Sequence, residues 1–180
     1  MTANTLSVLK SPIGLLATWF GSGVFPKAPG TMGTIAALPF AWAIMHYGDS
    51  MTLLWAAIVV SIVGVPISTA YMKKFDAEHD PKEIVIDEVA GMWLTLGIFM
   101  VVLQDVELFH PLYMVLFFVL FRLFDIWKPW PISWADKKVG GGLGVMLDDV
   151  LAGLIAAIVG HGLLFCYFYF ILCGGAMCDA

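Results

Sequence analysis

Apolar residues run in long blocks along this chain, and polar residues gather between them. Five blocks approach the roughly 20 residues needed to cross a bilayer core of about 30 Å. They run from Thr31 to Tyr47, Met51 to Met72, Glu88 to Gln104, His110 to Trp127 and Val150 to Cys173. The first is short and carries Pro39, and the second carries Pro66. Both prolines are tolerated where neighbouring helices satisfy the freed backbone groups. A further apolar stretch, Pro12 to Phe20, is too short to span and is expected to be a re-entrant or interfacial segment. It makes a poor cleaved signal, because a single basic residue, Lys10, precedes it and glycines follow at once. The pattern predicts an all-α fold: a polytopic membrane helix bundle of about five transmembrane spans, forming one membrane-embedded domain over residues 1–180.

Composition supports this and removes other classes. Apolar residues make up 61% of the 180 and charged residues 13%, about half the charge of an average soluble domain. A disordered chain, a disulfide-stapled domain and an ordinary soluble enzyme are excluded. The net charge of −5, with no dense basic patch, argues against a nucleic-acid partner. Cys166, Cys173 and Cys178 fit no metal spacing, and an odd number cannot all pair, so they read as packing residues and free thiols.

Charge also orients the bundle. With five spans, Lys10, Lys27, Lys73, Lys74, Lys82, Arg122, Lys128, Lys137 and Lys138 all fall on one side. The opposite turns, Gly48 to Ser50 and Asp105 to Glu107, hold no Lys or Arg. The positive-inside rule puts the basic side in the cytoplasm and the C-terminus outside.

Four clusters meet on that basic face. Phe20 to Thr34 (FGSGVFPKAPGTMGT) is a glycine-rich turn in which Pro29 or Thr31 opens a helix, a natural phosphate site that lacks the Gly-Lys-Ser/Thr of a P-loop. Ile86 to Trp93 (IDEVAGMW) sets Asp87 and Glu88 at the start of a long helix. One acid there serves as a cap, and two are more than a cap needs. In Phe121 to Ile132 (FRLFDIWKPWPI), Arg122 and Asp125 share a helix face and Lys128 continues the line. Gly140 to Val150 (GGGLGVMLDDV) reads as a glycine-rich loop leading into Asp148 and Asp149, which open the last span. Trp127, Trp130 and Trp134 read as an interfacial anchor. The acids of Asp76 to Glu83 interleave with Lys73, Lys74 and Lys82, as in a solvated loop.

Acids at this density repel unless something positive joins them. Arg122 and Lys128 supply part of that charge and a divalent cation would supply the rest. All-oxygen donors favour Mg²⁺ or Mn²⁺ over zinc, and Arg grips phosphate through a bidentate fork. The residues therefore point to a metal-assisted phosphate site opening toward the cytoplasm, within reach of lipid headgroups. His161 lies about 18 Å along its helix from the acids and reads as packing. An ion-coupled transporter would need polar residues continuing through the membrane, and here they stop at one face. The D-G-x-x-A-R motif of the CDP-alcohol phosphotransferases is absent.

Taken in order and spacing, the four segments resemble the phosphatidylglycerophosphatase A family of bacterial inner-membrane lipid phosphatases. Thr34 stands where that family often has Ser, which keeps the hydroxyl. The resemblance implies Mg²⁺-dependent removal of the terminal phosphate of phosphatidylglycerophosphate, giving phosphatidylglycerol, with the bilayer as the enzyme's setting. A phosphatase for a different lipid phosphate is the nearest alternative. On this reading Asp87, Glu88, Asp148 and Asp149 hold Mg²⁺, and Asp125 is a ligand or orients the attacking water. Arg122 and Lys128 grip the phosphoryl oxygens, and the turn at Gly30 and Thr31 adds backbone N–H donors. Direct attack by water and a phospho-aspartyl intermediate are both compatible with these residues.

Overall fold

Helix α5 (Ile86–Val102) is the element around which the bundle is built. Its side chains are buried on every face from Ile86 to Met100, except Glu88 and Ile98, which are half-buried. A helix apolar all round is one that other helices enclose. This computed structural model describes residues 3–77, 81–102 and 111–176. In it α5 packs against α3 (Pro29–Tyr47), α4 (Ser50–Phe75), α6 (Pro111–Trp127) and α8 (Gly141–Ala176). Two short helices, α1 (Ala3–Leu9) and α2 (Pro12–Ala17), and a 3₁₀ turn at Ser22–Val24 precede α3. A seven-residue helix, α7 (Ile132–Lys138), links α6 to α8. No strand occurs among the described residues, so the fold is all-α.

The five apolar blocks correspond to α3, α4, α5, α6 and α8. Two of these, α4 and residues 141–170 of α8, are long and apolar enough to cross a membrane. Helices α3, α5 and α6 have 19, 17 and 17 residues, or about 26–28 Å each. Large apolar side chains face outward along the bundle, among them Trp55 and Ile62 on α4, Val115 and Val119 on α6, and Ile158 and Phe165 on α8. A soluble monomer rarely exposes that much apolar surface.

One boundary departs from the sequence reading. The last helix begins at Gly141 rather than near Val150, so Asp148 and Asp149 lie two turns inside it and do not open it. The glycines explain the shift. A side chain at Gly142 would run into the carbonyl of Val65 on α4, so this glycine serves a close helix crossing rather than a flexible loop. Gly141 itself, at φ +68°, turns the chain out of the extended Val139.

A second crossing positions the acids. A Cβ on Gly153 would sit 2.5 Å from the Gly91 carbonyl, and one on Gly91 would sit 2.7 Å from the Asp149 carbonyl. The Thr95 hydroxyl lies 2.8 Å from the Gly91 carbonyl oxygen and 3.2 Å from that of Gly153, bridging the two backbones. Without side chains between them, α5 and α8 approach closely, and Asp149 is carried to the first turn of α5.

The N-terminal helices pack at the end of the bundle where α4 stops and α5 starts. Lys74 Nζ donates to Ser11 Oγ at 2.7 Å, and Val85 N–H donates to the Ala17 carbonyl at 2.9 Å. Glu78, His79 and Asp80, the turn Asp105 to Glu107 with His110, and Cys178 lie outside the described residues, as does the side chain of Cys173. Cys166 is exposed and free. His161 packs as expected, its ring beside Phe99 and Phe117 and its Nδ1 2.7 Å from the Ala157 carbonyl oxygen.

Candidate active site

The starts of α3 and α5, the third turn of α8 and the last turns of α6 meet at one end of the bundle. Asp87 and Glu88 occupy the first turn of α5, where the helix dipole favours negative charge. Asp149 reaches them from α8. The three carboxylates each offer an oxygen, and these oxygens all lie within 4.8 Å of one another. No other set of three such groups occurs among the described residues. The site is withdrawn from water, with Asp149 only 3% exposed.

Arg122 on α6 faces this triad. Its Nη1 lies 2.6 Å from Asp125 Oδ2, the pairing that the i, i+3 spacing foretold, and 3.9 Å from Glu88 Oε1. The same nitrogen is 3.5 Å from Thr34 Oγ1, and the Thr34 hydroxyl donates to the Gly30 carbonyl at 2.9 Å. Two polar atoms here are buried with no partner: Glu88 Oε2 and Arg122 Nε. An acceptor and a donor left unpaired at one site are costly unless a ligand uses them.

The turn ahead of α3 closes the site from the other side. Ala28, at φ +50°, bends the chain into Pro29, which takes the first helical position, so Gly30 and Thr31 follow with first-turn N–H groups that have no intrahelical partner. A Cβ on Gly30 would collide with Glu88 Oε1 and sit 3.2 Å from Arg122 Nη1. Gly30→Ala is therefore expected to push the Glu88 carboxylate aside while leaving the fold intact. Activity should fall at least about tenfold, since a displacement near 1 Å at a reacting centre costs up to about 10²-fold. Phosphate release at matched membrane content, alongside an unchanged melting temperature, checks this.

Asp148 and Lys128 form a neighbouring group. Lys128 stands just past α6 at φ +47°. Its ammonium donates to Asp136 Oδ1 on α7 at 2.5 Å and to Asp148 Oδ2 at 2.7 Å. Asp148 Oδ1 accepts the Asp149 N–H at 3.1 Å. Burial alone would lower the Lys128 pKa, but the bonds to the two aspartates outweigh it and hold it above the ordinary lysine value. The adjacent aspartates thus point to different partners, as successive residues on a helix do. Of the four acids read as metal ligands, the structure brings Asp87, Glu88 and Asp149 together and gives Asp148 to Lys128. Lys128, read as a phosphate grip, is engaged by two carboxylates. Asp136, Gly91, Gly153 and Thr95 were not singled out from sequence. The signal that could have found the crossing is the small-residue spacing of Gly91 and Thr95 on α5.

A cavity of about 590 Å³ lies nearby, between α1, the Gly23–Pro26 segment, the end of α4 and residues 81–83. Pro29 is shared between its wall and the turn at the site, but the acid triad lies outside it.

An all-helical bundle that brings three carboxylates, an arginine suited to phosphate and a helix N-terminus to one end fits a membrane-associated enzyme acting on phosphate esters. The comparisons narrow this class. Residues 15–164 match the family described as phosphatidylglycerophosphatase A, and the chain belongs to that family. It is 39% identical over 157 residues to the Escherichia coli phosphatidylglycerophosphatase A, covering 85% of this chain and 86% of that one. Identity to the Haemophilus influenzae phosphatidylglycerophosphatase A is 36% over 84% of this chain and 88% of the relative. A Bacteroides thetaiotaomicron protein provisionally named a phosphatidylinositol-3-phosphatase is 37% identical over 81% of this chain and 89% of its own length. No solved structure matches significantly.

Proposed function

We propose that this chain hydrolyses the terminal phosphomonoester of phosphatidylglycerophosphate at the cytoplasmic face of the bacterial inner membrane, using Mg²⁺. The observation that carries the reading is the convergence of Asp87, Glu88 and Asp149 with Arg122 in a chain of this family. The bundle crosses the bilayer five times through α3, α4, α5, α6 and α8. The gathering of the basic residues at the end bearing the site supports a cytoplasmic position for that end.

The donor set fits Mg²⁺. It offers hard carboxylate oxygens only, Glu88 Oε2 is buried and unpartnered, and carboxylates this close repel without a proton or a cation between them. Asp87, Glu88 and Asp149 would hold the ion, with Asp148 behind them. When bound, Mg²⁺ supplies Lewis-acid polarisation of the phosphoryl group and a more acidic water. The protein's own groups do the rest. Arg122 offers its unpaired Nε to a phosphoryl oxygen, and Asp125 holds the guanidinium in place. The Gly30 and Thr31 N–H groups add donors at a helix N-terminus. Lys128 offsets the charge of Asp148 and Asp136. Water attacks phosphorus, the bond from phosphorus to the glycerol oxygen breaks, and a proton given up by the water passes to that oxygen, so the products are inorganic phosphate and phosphatidylglycerol. Positioning and charge stabilisation carry most of the rate.

Phosphate release from purified protein in vesicles tests the substrate. Phosphatidylglycerophosphate is expected to be turned over well above phosphatidic acid and phosphatidylinositol 3-phosphate at equal mole fraction. Faster turnover of phosphatidylinositol 3-phosphate would move this chain to the specificity that the name of its Bacteroides relative carries.

A further inference from the structure

We propose that residues 126–138 form a docking surface for anionic phospholipid, and that Asp136 couples this surface to the catalytic cluster through Lys128. The inference rests on the reading above. It begins with a stripe along α6. Leu112, Val115, Val119, Leu123 and Ile126 recur at helical spacing and are all more than half exposed or at the half mark. The stripe does not end with the helix: Trp127, Trp130 and Trp134 carry it on, with Trp130 80% exposed. Lys137 and Lys138 follow in the last turn of α7.

The order is apolar, then aromatic, then basic. Aliphatic side chains suit the hydrocarbon, tryptophans suit the headgroup level, and lysines beyond them meet anionic headgroups. The surface is not detached from the protein. Ile132 and Ala135 are fully buried, holding α7 on α8. Asp136 projects from the same helix between the exposed lysines and the site, and its carboxylate takes the Lys128 ammonium at 2.5 Å. Lys128 holds Asp148 at 2.7 Å, and the Asp148 carboxylate accepts the backbone N–H of Asp149. A chain of charge-assisted hydrogen bonds runs from α7 through Lys128 and Asp148 to the backbone N–H of Asp149, whose carboxylate belongs to the acid triad. Asp136 is thus a positioning residue: it touches no reacting atom and acts through Lys128.

The test uses the full-length protein in phosphatidylcholine vesicles with a fixed share of phosphatidylglycerophosphate and a rising share of phosphatidylserine. Wild-type turnover should rise with phosphatidylserine. Lys137→Gln/Lys138→Gln should flatten that rise while keeping the basal rate without phosphatidylserine. Asp136→Asn should lower the rate about tenfold, within the range seen when an outer partner of a ligand is removed, with Asp136→Glu restoring part of it. Binding is read separately. The fluorescence difference between wild type and Trp130→Phe/Trp134→Phe reports those two tryptophans, and lipid brominated near the headgroup should quench it, in Asp136→Asn as in wild type. A lysine variant that follows wild type across the phosphatidylserine series, a tryptophan difference signal untouched by brominated lipid, or an Asp136→Asn variant that keeps the wild-type rate would overturn the proposal. A wild-type protein that releases no phosphate at all would instead overturn the substrate reading, and the quenching experiment would still decide the docking surface.

Discussion

Replacing Asp149 with Asn should reduce phosphate release by at least about 10³-fold, a loss of about 4 kcal/mol in transition-state stabilisation, while the protein still accumulates in the membrane. Asp149 is carried into the site by backbone contact, its carbonyl lying where a Gly91 side chain would be. The Asn side chain has nearly the same shape, so the α5–α8 crossing survives the change. What is lost is one of three anionic donors and the charge that balances a cation. An amide oxygen is a weaker ligand for a hard divalent ion, and its NH₂ group presents donors where an acceptor is needed. Asp148→Asn is the contrast. Its carboxylate serves Lys128 and the Asp149 N–H, so the expected cost is about 10- to 100-fold, typical of an outer partner. Rates at matched protein levels, with circular dichroism as the fold control, separate the two.

Arg122→Lys should cost about 10²-fold although the positive charge is kept. Lysine could still reach Asp125, so the i, i+3 pair and the helix would persist. A single ammonium cannot reproduce a planar fork that bonds Asp125 through Nη1 and keeps a buried Nε free. The loss should fall mainly on kcat, because the fork is spent on charge developing at phosphorus rather than on holding the lipid tails. A variant whose KM rose with kcat unchanged would instead place Arg122 in ground-state binding.

Much of this architecture was legible in the chain. Long apolar blocks broken by glycine, proline and charge gave five helices whose limits fall within a few residues of those observed, apart from the start of α8. The pairing of Arg122 with Asp125 followed from helical spacing alone. The partnership of Asp87 and Glu88 with Asp149 did not, since it depends on which face of α8 meets α5, and that is decided by two glycines 62 positions apart, Gly91 and Gly153. The same ambiguity hid the fate of Asp148. Two adjacent aspartates look equivalent in a string, yet about 100° of rotation on a helix sends one to the triad and the other to Lys128. The run of glycines before them read as a loop because glycine marks turns. In α8 it marks close contact with α4, where Gly142 meets the Val65 carbonyl. Asp136 had no signal in sequence, because its partner lies across the α6–α7 corner.

On the function proposed above, a divalent cation held by Asp87, Glu88 and Asp149 drives hydrolysis of phosphatidylglycerophosphate. Phosphate release from that lipid, measured first with Mg²⁺, then with excess chelator, then with Mg²⁺ restored, tests it most directly. Release that stops with chelator and returns with Mg²⁺ is the predicted result. Undiminished release in excess chelator would show that hydrolysis needs no such cation.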